Sequence, residues 1–339
     1  MKRISLLLLL LTPLCLPAED QQFATIGDLK LENGGVLRDC IVGYRAFGKM
    51  NPQKNNIVVF PTYLGGRSAD LSGRIGAGKM VDSAQYYVIA VDSLADGISS
   101  SPSNSKMQPG MQFPQISIRD MVNAEHKMLT DALHLTHVHA VLGFSMGGMQ
   151  AFQWAVSYPD FMDKIVSIAG SPQLTSWDML VWRTELLAVE ADPEWQNGRY
   201  TTEPKLHLQD SVHALVLTTP EYVATNTPSK DFEKFFAEQA EDGSFDANDG
   251  FRQIQAILTQ DIAAPFGESL ERAATAIHAP VLIVINRQDH LVNPMTSIQL
   301  AKLLKAQLLE LDSNCGHRAA RCEQPKIGQT VADFLQAGN

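Results

Sequence analysis

Four short runs of consecutive apolar residues recur along the first half of the chain. Such a run is typical of a strand that is buried on both faces of a sheet. Between the second and third runs, residues 118–135 place apolar side chains at helical spacing. This alternation predicts an α/β fold with a mostly parallel sheet flanked by helices. The four predicted strands are residues 56–60, 86–91, 138–142 and 165–169.

The alternation is interrupted over residues 171–276, which hold several helical patches and a polar run at 238–250. We therefore predict an α/β core made of residues 19–170 and 277–339, with residues 171–276 inserted between them as a helical cap. Ahead of the first buried strand, residues 23–47 favour antiparallel strands with a hairpin turn at 33–35. After the cap, strand and helix patterns return at 280–285, 294–304, 307–311 and 324–335.

The first 18 residues have the parts of a secretory signal peptide. Lys2 and Arg3 supply positive charge, and residues 4–11 form a leucine-rich run that is too short to span a bilayer. Ala18 is a small residue at the expected cleavage point, and an uncleaved anchor is the alternative. We expect a periplasmic or secreted protein without stable membrane insertion after cleavage, because no later apolar run is long enough for a span.

The chain is acidic, with a net charge of −10 at pH 7. An acidic surface repels phosphate backbones, so we expect no nucleic-acid partner. His134, His137 and His139 cluster before the third strand, but no carboxylate or thiolate lies near them in sequence. We interpret them as a solvated helix end, and we expect no metal site.

The third strand leads into a Gly-x-Ser-x-Gly pattern formed by Gly143, Ser145 and Gly147, and a helix-compatible segment follows at 149–157. A strand, a glycine-flanked serine and a helix are the layout of a nucleophile elbow, in which the serine hydroxyl points into a cleft from a strained turn. The alternative is an ordinary glycine-rich turn of an α/β domain. We predict that Ser145 is a nucleophile.

A serine hydroxyl needs a base, and the base needs a carboxylate that fixes its tautomer. Asp289 follows the strand pattern at 280–285, and His317 follows the pattern at 307–311. Both would lie at the carboxyl edge of the sheet, in the order acid and then histidine. We predict a triad of Ser145, Asp289 and His317; the alternatives are a surface-turn aspartate and a solvated loop histidine. We expect His290, next to Asp289, to be exposed.

Acyl transfer also requires N–H donors for the negative oxygen of the tetrahedral intermediate. We predict two backbone donors, Met146 directly after the nucleophile and Tyr63 in the loop after the first strand.

Three cysteines lie outside the predicted signal peptide. An oxidising compartment favours a disulfide between Cys315 and Cys322, which flank His317 and would leave Cys40 unpaired. Three unpaired buried thiols are the alternative.

Several longer motifs resemble the homoserine O-acetyltransferases of the α/β-hydrolase fold. They are GYRAFGKMN at 43–51, IGAGKMVDS at 75–83, SMGGMQ at 145–150 with Trp154, YPD at 158–160, and DPEWQNGRY at 192–200 in the cap. The resemblance implies a helical cap over the sheet, the triad of Ser145, Asp289 and His317, an acyl-serine intermediate, and oxyanion donors at Tyr63 and Met146.

The chain departs from the family's pattern on the substrate side. It has PTYLG at 61–65 and GHRAAR at 316–321, where the family has HALTG and GHDAFL. Leu186 stands where the family carries an arginine ahead of Asp-Pro, although Arg183 is one turn away. The chain is thus identified as an exported, divergent member of the family.

Because an exported enzyme would not ordinarily meet acyl-CoA, we predict a serine-dependent enzyme that hydrolyses a small acyl ester without a cofactor. One alternative is an acyltransferase that moves an acyl group to a hydroxyl acceptor, with acyl-CoA as co-substrate. The other is a non-catalytic binding module on the same fold. The expected partner is a small-molecule ester or acyl donor, and a homodimer is compatible with the sequence.

Overall fold

The structure is a computed structural model that describes residues 20–239 and 245–338, without the side chain of Gln239. The predicted signal peptide, residues 1–18, lies outside the described residues.

The described chain forms an eight-stranded, mostly parallel sheet flanked by helices, and the predicted fold class is confirmed. The strand order is β1-β2-β4-β3-β5-β6-β7-β8, in which β1 and β2 pair antiparallel and β2 also pairs antiparallel with β4. The remaining pairs are parallel. The strands are β1 (Gln22–Lys30), β2 (Val36–Phe47), β3 (Ile57–Pro61), β4 (Tyr87–Val91), β5 (Val138–Phe144), β6 (Met162–Ile168), β7 (Val281–Asn286) and β8 (Gln307–Leu311).

Alternate residues of the central strands pack into two different apolar clusters, one on each face of the sheet. In β3, Ile57 and Val59 belong to one cluster, and Val58 and Phe60 belong to the other. Every residue of β3 and β7 is buried, which explains why both strands are apolar apart from Asn286 at the end of β7. The first cluster includes residues of α1 (Ile118–Lys127), α2 (Met146–Ser157) and α9 (Met295–Leu304), and the second includes residues of α11 (Gln324–Gln336).

The helices between β6 and β7 occupy the stretch where the sequence predicted a cap. The helix α3 packs against α4 and α7, and buried residues of α3 and α7 belong to the first apolar cluster. The helices of this stretch are α3 (Ser176–Ala191), α4 (His207–Leu217), α5 (Pro220–Asn226), α6 (Phe232–Gln239), α7 (Ala247–Ile257) and α8 (Leu270–Thr275). A short helix, α10 (Ala319–Cys322), precedes α11.

The predicted helix at 118–135 was too long. The helix α1 ends at Lys127, and a wider π-helical turn, Met128–Ala132, follows it directly. Its end is closed by Leu135, whose N–H donates to the carbonyl of Leu129 at 2.8 Å, and His134 adopts a left-handed backbone with φ of 51°. Apolar periodicity continued past the helix because Leu129 and Leu135 are buried.

Candidate active site

Ser145 lies at a sharp turn between β5 and α2, with φ of 52° and ψ of −120°. This conformation is costly for a residue with a Cβ. The flanking glycines allow it: a Cβ on Gly143 would lie 2.2 Å from the backbone of Gly147, and one on Gly147 would lie 2.6 Å from the carbonyl oxygen of Pro61. The helix α2 begins at Met146, three residues before residue 149, where the sequence pattern placed its start.

The structure brings Ser145, Asp289 and His317 together. His317 Nε2 lies 2.9 Å from Ser145 Oγ, and His317 Nδ1 lies 2.7 Å from Asp289 Oδ2. Asp289 is buried, and its other oxygen accepts hydrogen bonds from the N–H groups of Leu291 and Val292 at 3.0 and 2.9 Å. Both oxygens of the Asp289 carboxylate therefore have fixed hydrogen-bond partners. The bond between Oδ2 and His317 Nδ1 sets the orientation of the imidazole. An arrangement of this kind can remove a proton from the serine hydroxyl.

The loop that carries His317 is held to the end of β7 by Asn286, a residue that the sequence analysis missed. The Asn286 side-chain amide donates to the carbonyls of Ser313 and Gly316, both at 2.8 Å, and its oxygen accepts the N–H of Ser313 at 2.9 Å. Asn286 is buried and all three hydrogen bonds are made in the core. Its signal in the sequence was a polar amide at the end of an otherwise apolar strand.

A disulfide joins Cys315 and Cys322 on either side of His317, with their Cα atoms 6.6 Å apart. It closes a short loop that contains α10, and it therefore limits the movement of the base. Cys40 is a free, buried cysteine, and burial raises the pKa of its thiol to about 12.

The same loop also contacts the cap. A Cβ on Gly316, which has φ of 61°, would lie 2.8 Å from the Cα of Thr218 at the end of α4. Thr219 donates to the carbonyl of Asn314 through its hydroxyl at 2.7 Å and through its N–H at 3.3 Å. The junction of α4 and α5 is thus bonded directly to the segment that carries His317.

The loop that carries Tyr63 lies against the serine turn, since a Cβ on Gly147 would lie 3.1 Å from the carbonyl oxygen of Thr62, and Tyr63 lines the same cavity as Ser145. The role of the Tyr63 and Met146 N–H groups as oxyanion donors stays a prediction. Within residues 20–239 and 245–338, neither N–H has a hydrogen-bond acceptor. The Tyr63 loop is held in place because Gln150 Nε2 donates to the carbonyl of Thr62 at 3.1 Å, while the Thr62 N–H donates to Val91 at 3.0 Å. Met146 also begins α2, where the helix dipole favours negative charge.

Ser145 and His317 line a cavity of about 690 Å³ between the edge of the sheet and the cap. Its volume suits a small molecule. A second cavity of about 310 Å³ shares part of the same wall. The sequence did not predict which cap residues reach the site; they include Trp182 of α3 and Gln209, His213 and Leu217 of α4.

The interpretation of the three clustered histidines as a solvated helix end was wrong for His139, which lies on β5 and is mostly buried; His137 is exposed, but both have a carboxylate partner that the sequence did not reveal. His137 Nε2 lies 2.8 Å from Asp163 Oδ1, and His139 Nδ1 lies 3.5 Å from the other oxygen of Asp163. The carboxylate lies on β6, beside the strand that carries His139, so it was distant in sequence. Among the described residues, no group of three or more His, Cys, Asp or Glu side chains could hold a metal ion. His290 is exposed.

Comparison with known proteins identifies related chains. Residues 55–320 match the family model described as alpha/beta hydrolase fold. The homoserine O-acetyltransferase of Methanosalsum zhilinae is 28% identical over 91% of this chain and 71% of the relative. The ethyl acetate hydrolase of Pseudomonas veronii is 32% identical over 60% of each chain. An acetylester hydrolase structure from Corynebacterium glutamicum has a TM-score of 0.87 and 24% identity, over 94% of this chain and 96% of that chain.

The family model covers most of the residues that form the sheet and the cap, and it includes Ser145, Asp289 and His317. The similarity to the Methanosalsum zhilinae protein confirms the resemblance to homoserine O-acetyltransferases that the sequence motifs indicated. The chain belongs to the α/β-hydrolase fold family.

Proposed function

We propose that this protein is a serine-dependent enzyme that hydrolyses a small acyl ester through an acyl-serine intermediate. The observation that carries the proposal is the continuous chain of hydrogen-bonding atoms from Asp289 through His317 to Ser145, at 2.7 and 2.9 Å. Ser145 Oγ faces a cavity with room for a small ester.

In the first half of the reaction, His317 Nε2 takes the hydroxyl proton of Ser145 while Oγ bonds to the ester carbonyl carbon. The N–H groups of Tyr63 and Met146 stabilise the negative oxygen that forms. The carbon–oxygen bond to the alcohol then breaks, and the alcohol leaves with the proton from His317. In the second half, His317 removes a proton from water while the water oxygen bonds to the acyl carbon. The bond from that carbon to Ser145 Oγ then breaks, Oγ takes the proton back from His317, and the acid leaves.

Hydrolysis is favoured over acyl transfer by the compartment that residues 1–18 predict, where water is abundant and acyl-CoA is not. We propose a periplasmic or secreted location and no cofactor. The protein would act on small molecules, without a nucleic-acid partner and without stable insertion into a membrane. In the part of the chain that the structure describes, no helix is both long and apolar enough to cross a bilayer.

The second candidate is transfer of an acyl group to a hydroxyl acceptor. It is favoured by the relatives that align over most of the chain, which are named homoserine O-acetyltransferases. A non-catalytic binding module is disfavoured, because Ser145, His317 and Asp289 are all present at hydrogen-bonding distance.

A fluorophosphonate probe tests the proposed nucleophile, and it should label the wild-type protein but not Ser145→Ala. Rapid turnover of p-nitrophenyl acetate that is unaffected by CoA would support hydrolysis. Slow turnover that a hydroxyl acceptor accelerates would support the transferase, and absence of labelling would overturn both. Intact-mass analysis of the secreted protein would test cleavage near Ala18, and size-exclusion chromatography with light scattering would test for a homodimer.

A further inference from the structure

A second imidazole oriented by a carboxylate faces the same cavity as Ser145. His213, on α4, lines the cavity, and its Nδ1 lies 3.0 Å from Glu185 Oε1 on α3. Glu185 is completely buried, and its other oxygen accepts a hydrogen bond from Gln209 Nε2 at 2.9 Å. The His213 side chain remains 26% exposed at the cavity wall. The cap therefore holds this imidazole in one orientation.

The surroundings of His213 favour its charged form. Burial lowers the pKa of the imidazole, but the hydrogen bond and the negative charge of Glu185, aided by Asp210, outweigh burial, so the pKa is raised; Arg318 opposes this rise. With Nδ1 directed at Glu185, the Nε2–H group is left for a ligand, because Nε2 has no hydrogen-bond partner among the residues described. An imidazolium N–H at a cavity wall is a site for an anion.

Arginines add to the positive charge of this cavity. Arg74 is half-buried, with its guanidinium 4.9 Å from the ring centroid of Phe144 and one N–H donating to the carbonyl of Ala320 at 2.9 Å. Arg318 and Arg321 also line the cavity. The guanidinium of Arg74 has donors beyond the one used by Ala320. No carboxylate within residues 20–239 and 245–338 forms an ion pair with it.

Three carboxylates line the same cavity and offset part of this positive charge. Asp70 accepts the N–H of Arg67 at 2.8 Å, and Glu238 lies 3.7 Å from Lys234. Asp210 is the third carboxylate at the wall. Beside His213, Trp182 has a buried indole N–H with no acceptor in the described part of the chain. The cavity wall thus combines cationic groups with carboxylates, and His213, Arg74 and Trp182 contribute N–H donors to it.

We propose that the natural substrate is an ester that itself carries a carboxylate, which binds in the cavity to His213 and Arg74. This inference rests on the proposed function and names its substrate class. The carboxylate can belong to the acyl part, as in a monoester of a dicarboxylic acid, or to the alcohol part, as in the ester of a hydroxy acid. His213 already pairs with Glu185, but a carboxylate would accept charge-assisted hydrogen bonds from both His213 and Arg74, and such bonds are stronger than those that the oxygens of a neutral ester accept.

The test compares kcat/KM for two pairs of esters that differ in charge. Mono-4-nitrophenyl succinate and 4-nitrophenyl acetate vary the acyl part, and the acetates of lactic acid and lactamide vary the alcohol part. For one pair, the wild-type enzyme should prefer the charged ester. His213→Gln and Arg74→Gln should each lower that preference by about tenfold, the loss expected for one charge-assisted hydrogen bond. The loss should appear mainly in KM.

Arg183→Gln is the matched control, since Arg183 is exposed on α3 and does not line the cavity. It removes the same charge from the cap and should leave the preference and the neutral-ester rate unchanged. Equal kcat/KM values within both wild-type pairs would overturn the inference, as would an unchanged preference in both His213→Gln and Arg74→Gln. If fluorophosphonate still labels Ser145, only the substrate class fails; if it does not, the proposed function fails as well.

Discussion

The side-chain amide of Asn286 donates a hydrogen bond to the carbonyl of Gly316, the residue directly before His317. Asn286 therefore positions the imidazole from the end of a buried strand. Replacing it by Ala would leave the N–H of Ser313 and two carbonyls without their buried partner.

We expect Asn286→Ala to lower stability by about 1–3 kcal/mol and to reduce kcat by at least about tenfold, since the imidazole loses its fixed position. Denaturant unfolding and steady-state kinetics measure the two effects. Gln288→Ala is the control, because Gln288 lies in the same turn but bonds an exposed carboxylate, Asp312. Full activity of Asn286→Ala would contradict the positioning role.

The backbone of Ser145 predicts that removing its Cβ stabilises the protein. With φ of 52° and ψ of −120°, a serine or alanine is strained there, whereas glycine is not. Ser145→Gly should be more stable than Ser145→Ala by about 1 kcal/mol in thermal or denaturant unfolding. Both variants should lose ester turnover by at least about 10⁴-fold. Equal stability of the two variants would show that the backbone at Ser145 is not strained.

Reduction of the disulfide should lower activity. Loss of the bond between Cys315 and Cys322 frees the loop of His317 and should reduce stability by roughly 2–3 kcal/mol in the chain-entropy model. A Cys315→Ser/Cys322→Ser double variant should show the same loss and no further response to reductant, whereas Cys40→Ser should retain the response. Thiol counting on the denatured, unreduced mature protein should give one reactive group, and three would contradict the prediction.

Glu125 should make stability depend on pH. Burial raises the pKa of this carboxyl to about 8. The hydrogen bond from Trp154 Nε1, at 2.6 Å, lowers the pKa but offsets only part of this rise. Between its ordinary value of 4.5 and about 8, the folded chain binds a proton that the unfolded chain has released. The Glu125 contribution to unfolding free energy should therefore fall as pH rises through this window, by at most roughly 1.4 kcal/mol per unit.

Glu125→Gln keeps a side chain of similar shape that does not titrate. Its unfolding free energy, measured in denaturant from pH 5 to pH 9, should decline less steeply than that of the wild type. The exposed residue Glu233 offers a control, since Glu233→Gln leaves the core unchanged. Parallel pH profiles for Glu125→Gln and the wild type would rule out a titrating group at this position.

Strand patterns, together with the Gly-x-Ser-x-Gly motif and the order of acid and histidine, predicted that Ser145, Asp289 and His317 meet, because the carboxyl ends of parallel strands lie at one edge of the sheet. The hydrogen bonds from Asn286 to the His317 loop were not predicted, since the partners of a side chain at the end of a strand depend on tertiary packing. For the same reason, the pairing of His137 and His139 with Asp163 was missed. His139 and Asp163 lie on neighbouring strands, and His137 directly precedes the first of them, but Asp163 is more than 20 residues away in sequence.

The cap was harder to interpret than the core. Periodicity indicated helices there, but it did not show that Glu185 and His213 meet across α3 and α4. Helical spacing defines which residues share a face of one helix, and it does not define how two helices are rotated against each other. The sequence therefore did not predict which charged residues meet at the cavity.

The hydrogen bonds from Thr219 to Asn314 tie the roof of the cavity to the loop of the general base. A molecule that displaced the junction of α4 and α5 as it entered would also move the loop of His317. The imidazole would then no longer be within hydrogen-bonding distance of Ser145. Bulky esters would thus be disfavoured for two reasons: they exceed the space in the cavity, and they disturb the proton transfer from Ser145 to His317. The enzyme should turn over most rapidly those compounds that enter without moving this junction.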